Sequence, residues 1–320
     1  MTRFTPLDLG RLKTRSLKDR PSKVSRSDFG RPWTKGGRLD EFIARLPGIL
    51  AAGEFKEAVD RLARAAAGGR TVILALGGHP LKVGLAPLII DLMERGVISL
   101  LAGNGSVMVH DAELAMVGST SEDVAATLGH GDFGVTREAN ELINAAAGRA
   151  AREGLGLGRA LGEALRQGGY PYESDSIFAA AARLDLPFTV HVALGTDVYH
   201  IHPAAEGADL GRASMADFRT FCSAVATLES GVFLNLGSAV IMPEVFLKAV
   251  TLARNLGHRL EDLTTINMDF VRHYRPAVNV VQRPTAQGGR GVYLIGHHEI
   301  MFPLLAAALI ERLEEPRQGD

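Results

Sequence analysis

The chain has 320 residues, 46% of them hydrophobic, and a net charge of −1, which is enough material for a large globular core. Its single cysteine, Cys222, excludes an intrachain disulfide and a thiolate metal cluster within one chain. No apolar stretch reaches the roughly 18 residues needed to cross a bilayer, and no apolar segment follows the charged N-terminus, so a cytoplasmic protein with no membrane role is expected.

Residues 1–38 read as an irregular basic arm, with Pro21, Pro32 and Gly36-Gly37 as breakers. The first forty residues hold eleven Lys and Arg against four Asp. Little aromatic interleaving accompanies that charge beyond Phe29 and Trp33, which favours a solvated arm, or one packed on a neighbouring subunit, over nucleic-acid binding. A single α/β domain is expected over 39–313, with a tail at 314–320.

Apolar residues three and four apart predict helices over Leu39–Leu50 and Phe55–Ala67, the second closed by Gly68-Gly69. The period then changes. Thr71–Leu76 reads as a strand, Leu81–Arg95 as a helix closed by Gly96, and Val97–Ala102 as the next strand, which makes a βαβ unit. Helices follow over Val107–Val117, Ser121–Leu128, Thr136–Glu153 and Gly158–Gln167, the second with a capping-type start at Ser119 to Asp123. The alternation resumes with a helix near Ser174–Leu184, strand Phe188–Leu194, helix Ser214–Glu229, strand Val232–Leu236 and helix Pro243–Leu256. Phe221 and Ala224 around Cys222 predict a buried helical thiol. Strands near Thr264–Met268, Val278–Val281 and Val292–Ile295 precede a last helix over Glu299–Leu313. The whole predicts a Rossmann-like α/β fold, one mostly parallel sheet with helices on both faces.

Four predicted strands run into glycine turns: Leu76-Gly77-Gly78-His79, Ala102-Gly103-Asn104-Gly105-Ser106, Leu194-Gly195-Thr196-Asp197 and Leu236-Gly237-Ser238. Ligands in open α/β sheets collect outside the carboxyl ends of the strands. Glycine admits backbone N–H groups close to a phosphate, and a following helix N-terminus adds its dipole. The turn at Gly103 is not G-x-G-x-x-G, because Met108 stands where a third glycine would be. His110, Asp111 and Glu113 fall in the first turns of the next helix, where they serve a site or suit the positive helix end.

His191, Asp197, His200 and His202 lie close in sequence, and imidazoles with a carboxylate are ligands for zinc or another divalent ion. Their spacing matches no metal motif, so hydrogen-bonded loop residues beside a ligand are preferred. His297-His298-Glu299 opens the last helix. Asn267 and Asp269 end a strand where an acid could accept from ribose hydroxyls, and His273, Tyr274 and Arg275 follow in a loop. Gly237-Ser238-Ala239 lacks the G-x-S-x-G pattern of a serine nucleophile.

The order of these elements resembles the deoxyhypusine synthase family. The likeness rests on Val97–Asp111, on Leu186–His202 with its Pro-entered strand and Thr/Asp/Gly loop, on Gly231–Gly257, and on the closing Met301-Phe302-Pro303-Leu304-Leu305. It implies an NAD-binding sheet, a homotetramer with sites shared between subunits, and NAD-dependent transfer of an aminobutyl group from spermidine through an enzyme lysine. Carried over by position, Gly103, Asn104, Gly105, Asp197, Gly237 and Ser238 approach NAD. Gly77, Gly78, Ser106, Thr196, Asn267 and Asp269 are further cofactor candidates on the strand-end reading. The family's lysine motif is missing: Asn267–Val292 holds neither Lys nor Trp, Met242-Pro243-Glu244 stands in place of its lysine and paired histidines, and the nearest lysine is Lys248.

The expectation is therefore an NAD-binding enzyme acting on an amine or polyamine-type small molecule. It would work by hydride chemistry or aminoalkyl transfer without the lysine adduct, with Glu244, His200, His202, His273 and His298 as candidate acids or bases. Two alternatives stand beside it: a non-catalytic nucleotide sensor or assembly protein, and a metal-dependent hydrolase using His191, Asp197, His200 and His202.

Overall fold

Six short runs rich in Val, Ile, Leu and Phe form one sheet: β1 (Val72–Leu76), β2 (Leu100–Asn104), β3 (Phe188–His191), β4 (Val232–Leu236), β5 (Thr264–Asp269) and β6 (Arg290–Ile295). The computed structural model describes residues 4–313, so the tail expected at 314–320 lies outside the described residues. Every position of β1 and β4 is buried, as strands covered on both faces must be.

The helices are α1 (Leu39–Arg45), α2 (Leu50–Ala67), α3 (His79–Lys82), α4 (Ala86–Glu94), α5 (Gly105–Val117), α6 (Val124–Thr127), α7 (Arg137–Glu153), α8 (Leu157–Gln167), α9 (Ile177–Arg183), α10 (Gly207–Val225), α11 (Ile241–Asn255) and α12 (His298–Leu313). Among the described residues no helix is long and apolar enough to cross a membrane.

All neighbouring strands are parallel, in the order β3-β2-β1-β4-β5-β6. The chain thus builds outward from β1 to β3, returns across the sheet through α10, and builds outward again from β4 to β6. Side chains alternate along β1. Val72, Leu74 and Leu76 join a core with α2, α5 and α12, whereas Ile73 and Ala75 face Phe221 of α10 and Phe246 of α11. The helix after β1 and the helix after β4 therefore leave on opposite faces. The strand order reverses between β1 and β4, and the crevice position of an open α/β sheet is the space outside the carboxyl ends of those two strands.

Several expectations shift. The predicted strand Val278–Val281 is instead part of a wide-turn helix over Pro276–Gln282. Its β-branched residues satisfy either reading locally, and burial of Ala277, Asn279 and Val280 decides for the helix. The helix predicted over Leu81–Arg95 is two helices, α3 and α4, broken around Gly84 at φ +79°. β2 runs on through Asn104, so α5 starts at Gly105 without an intervening loop. β3 stops at His191, and α10 begins well before Ser214. Cys222 is buried on α10, as its neighbours predicted.

Residues 4–38 contain only short 3-10 turns at Leu17–Asp19 and Arg26–Asp28. Their final stretch is tied to the body: Gly48 N–H donates to Asp28 O at 2.9 Å, Arg45 Nη1 to Pro32 O at 2.7 Å, and Trp33 meets Phe42 edge-on at 5.7 Å.

Candidate functional site

The crevice floor is made by strand ends in close mutual contact. Gly77 lies so tightly against Gly237 that a Cβ on Gly77 would overlap the Gly237 carbonyl. A Cβ on Gly237, whose φ is +71°, would sit 2.8 Å from His298 Cε1. One on Gly78 would sit 2.7 Å from Ser106 Oγ and 2.9 Å from His110 Cδ2, and one on Gly105 would overlap Asp197. The glycines thus bring His298, Ser106, His110 and Asp197 to one line of backbone.

On the β2–β3 side Ser106, His110 and Asp197 border a cavity of about 170 Å³, to which Lys82, Glu113, Glu122 and Thr196 also contribute. Asn104 precedes α5 but does not cap it; its Oδ1 accepts from Ser106 Oγ at 3.0 Å, which leaves the first amides of α5 without a side-chain partner. Thr120 Oγ1 donates to Glu113 Oε2 at 2.5 Å and lies 2.8 Å from His110 Nδ1. With its one hydrogen so used, Thr120 receives the Nδ1 proton of His110. Burial raises the Glu113 pKa, but the bonds from His110 and Thr120 outweigh it and the group stays below the ordinary value. Burial pushes Asp197 up, against weaker opposing effects of His200, Thr196 and Tyr199. His200 Nδ1 accepts from the amides of Gly195 at 3.2 Å and Asp197 at 3.1 Å, so its proton sits on Nε2, which is buried without a partner. Burial also lowers the pKa of His200, so the ring is neutral.

On the β5–β6 side Asp269 is buried between two imidazoles. His298 Nε2 lies 3.8 Å from Asp269 Oδ1 and His273 Nε2 lies 3.7 Å from Asp269 Oδ2. Phe270 N–H donates to Asp269 Oδ1 at 2.8 Å. His298 is only 1% exposed, and its Nδ1 has no hydrogen-bond partner. Burial lowers its pKa, with Asp269 pulling the other way. His79 and Phe270 pack around this ring, at 5.4 and 5.9 Å between centroids.

Other candidates lie elsewhere. Asn267 is fully buried inside β5, where its Oδ1 accepts from Asn235 Nδ2 at 2.6 Å and its Nδ2 has no hydrogen-bond partner. Glu244 on α11 is engaged by Lys248, by Arg275 Nε at 3.4 Å and by Asn279 Nδ2 at 2.8 Å, and the bond from Lys248 chiefly holds its pKa low. His202 Nδ1 accepts from Ala204 N–H at 3.2 Å. Asp111 points away from the cavity and ties the start of α9, through Ser176 Oγ at 2.5 Å and the Ile177 amide at 2.9 Å.

His191, Asp197, His200 and His202 do not converge. His191 turns toward Phe221 of α10, while Asp197 and His200 turn toward Tyr199 and α5. Among the described residues no three His, Cys, Asp or Glu side chains are grouped to hold a metal ion. The cluster of imidazoles and a carboxylate that suggested a metal hydrolase lies on a segment that delivers its side chains to two faces of the sheet.

Sequence reasoning passed over Lys82, Thr120, Tyr199, His79 and Phe270. His79 and Lys82 were within reach, because His79 directly follows the Gly77-Gly78 turn and Lys82 lies one helical turn further on. Thr120 becomes visible only when the turn after α5 folds back on His110 and Glu113, and Tyr199 only when its loop meets Gly105.

No protein-family model and no curated protein matches the sequence. Among solved structures the fold is similar to ArgZ, an arginine dihydrolase from the ornithine-ammonia cycle in cyanobacteria, at 18% identity and a TM-score of 0.51 over 82% of this chain and 32% of that one. It is similar to AgrE in a ternary complex with ornithine and NAD+, at 14% identity and a TM-score of 0.53 over 80% of this chain and 32% of that one. A candidate deoxyhypusine synthase from Entamoeba histolytica matches at 13% identity and a TM-score of 0.51 over 88% of this chain and 96% of that one. The chain spans about a third of the length of the first two. These likenesses establish a deoxyhypusine-synthase-like fold, and a fold does not fix an activity.

Proposed function

We propose that the chain is an NAD-binding enzyme that acts on a small amine-bearing molecule by hydride chemistry, with the dinucleotide along the β1–β4 crevice and the amine in the cavity beside α5. The observation that carries this reading is the position of the cavity beside the reversal of strand order. A cavity bordered by three carboxylates, Glu113, Glu122 and Asp197, opens beside the ends of β2 and β3 and reaches Lys82 on the helix that follows β1, next to the β1–β4 point where the strand order reverses.

The residues fit a dinucleotide. The uncapped amides at the start of α5 and the backbone at Gly78, Gly105 and Gly237 to Ser238 would hold its phosphates. When bound, nicotinamide supplies a hydride acceptor. Carboxylates on the cavity wall attract a cationic amine, and Lys82 at the rim suits an anionic group at its far end. An alkylammonium has no lone pair to expel hydride from the neighbouring carbon, so the cation must first lose a proton. Asp197 is the proton acceptor on this reading, because burial has raised its proton affinity. His298, neutral and with Nδ1 free, is the second candidate base.

Exposed Val240, Phe270, Tyr274, Ile295 and Ile300 rim the carboxyl edge of the sheet, which supports an oligomer, the tetramer of the resemblance, closing over the site. Native mass spectrometry reads that state.

Calorimetry with NAD+, followed by absorbance of NADH on adding spermidine or ornithine, tests the activity. Binding with amine-dependent NADH formation supports it. Binding with no turnover on a panel of amines supports the non-catalytic sensor, and absence of binding to any adenine nucleotide overturns both.

A further inference from the structure

We infer that a second binding site, separate from the crevice, lies between α10 and α11 and takes an uncharged apolar small molecule that donates one hydrogen bond to His191 Nδ1. A cavity of about 400 Å³ opens there, walled by Val192, Leu194, Leu210, Met215, Phe218 and Val245, with His191 at its base. Its size and its mostly apolar wall with few polar groups are those of small-molecule sites.

The polar groups around this cavity are committed, with one exception. Ser214 Oγ donates to Val190 O at 2.9 Å and accepts from Val192 N–H at 3.0 Å. Glu244 at the rim is held by Lys248, Arg275 and Asn279. Thr189 Oγ1 lies 3.5 Å from Leu101 O, to which it donates, and 3.1 Å from His191 Nε2. With the one hydroxyl hydrogen assigned to the carbonyl, the imidazole donates from Nε2 and keeps a lone pair on Nδ1, which is the tautomer the proposal requires. Among the described residues that nitrogen has no partner, on a side chain only 4% exposed.

Phe221 meets the ring edge-on at 5.1 Å and fixes its orientation. Burial pushes the His191 pKa down to about 3, so the ring is neutral at physiological pH and offers no charge to an anion. The remaining complement is an apolar body with one N–H or O–H. A site built around a buried acceptor discriminates strongly against an analogue that lacks the donor.

Indole and benzofuran share a bicyclic shape and differ in that N–H, so they are the probes. Calorimetry should show indole binding the full chain at least tenfold more tightly than benzofuran. Methyl NMR shifts should fall on Leu194, Leu210 and Met215, and the His191 Nδ1 resonance should move with indole only. His191→Phe should reduce indole to the level of benzofuran, and Met215→Trp, which plugs the rim, should abolish both. The imidazole resonance keeps the test decisive if His191→Phe does not fold.

Equal affinities in the wild type, a tenfold preference that survives His191→Phe, or shifts confined to Lys82 and Asp197 would each overturn the proposal. So would self-association abolished by Met215→Trp without any probe binding, because another copy of the chain then fills the cavity. NAD+ added to saturation should leave indole affinity unchanged; direct competition would place both ligands in one site and overturn the inference.

Discussion

Gly77 and Gly237 meet where neighbouring strands end, and that contact gives the glycine turns a steric cause before any ligand is considered. A methyl group on Gly77 overlaps the Gly237 carbonyl, and backbone at the centre of a sheet cannot move aside cheaply. Gly77→Ala should therefore cost about 2–3 kcal/mol in urea unfolding. Ala at Gly195, where nothing lies within 4 Å, meets only the strain of its φ of +88°. Equal and small losses at both positions would show that the β1–β4 contact is looser than described. Asp217 makes a different kind of prediction. It accepts from the amides of Val190 at 2.8 Å and Gly158 at 3.0 Å, and burial pushes its pKa from 3.8 to about 7. Between those values the folded chain holds a proton that the unfolded chain has released. The stabilising effect of this group is thus full below the unfolded value and is lost as pH rises toward about 7. Asp217→Asn cannot titrate, so the stability of wild type minus that of the variant should fall steadily between about pH 4 and about pH 7. A difference that is flat or rises across that window would place the Asp217 carboxylate in contact with water.

Among the elements, the segment Pro276–Gln282 separates what local pattern tells from what packing decides. In a strand Val278 and Val280 would share one face and suffer alike on truncation. In the helix Val280 is fully buried while Val278 is only half-buried. Val280→Ala should cost about 2 kcal/mol and Val278→Ala less than half of that; equal costs would restore the strand. The strands of the sheet centre were readable because burial on both faces leaves uninterrupted apolar runs, as in Val72–Leu76 and Val232–Leu236. Boundaries were less readable. β2 continues through Gly103 and Asn104 because its partner β3 still pairs with them, and no local signal announces that pairing. The site divides in the same way. Ser106, Asp197 and Gly237 were visible as strand-end residues, whereas the pairing of His110 with Thr120 and of His298 with Asp269 depends on contacts between segments remote in sequence or on opposite sides of a turn. His191 and His200 looked like partners, and the end of β3 sends them to opposite faces.

At the scale of the whole molecule, the strand order decides where a ligand would stabilise the fold. Two half-sheets grow in opposite directions from β1 and β4, and their carboxyl ends share one crevice. A dinucleotide lying there would touch both halves and bind only when they are assembled. A ligand that binds only the folded state stabilises it by mass action, about 2.7 kcal/mol at a free concentration one hundred times its Kd. NAD+ should therefore raise the thermal midpoint progressively with concentration. Ser106→Asp tests whether the start of α5 is the contact. A carboxylate in the first turn gains about 0.3–1 kcal/mol from the helix dipole, and repulsion from the Glu113, Glu122 and Asp197 carboxylates around the same cavity offsets it, so the unliganded chain should unfold close to wild type. The same carboxylate repels a phosphate held by the first amides of the helix, so the NAD-dependent rise should vanish in this variant. If the variant keeps the full rise, the phosphates lie away from α5. If the wild type shows none at millimolar NAD+, the crevice does not take the dinucleotide, and the charged cavity beside it must be read without a redox partner.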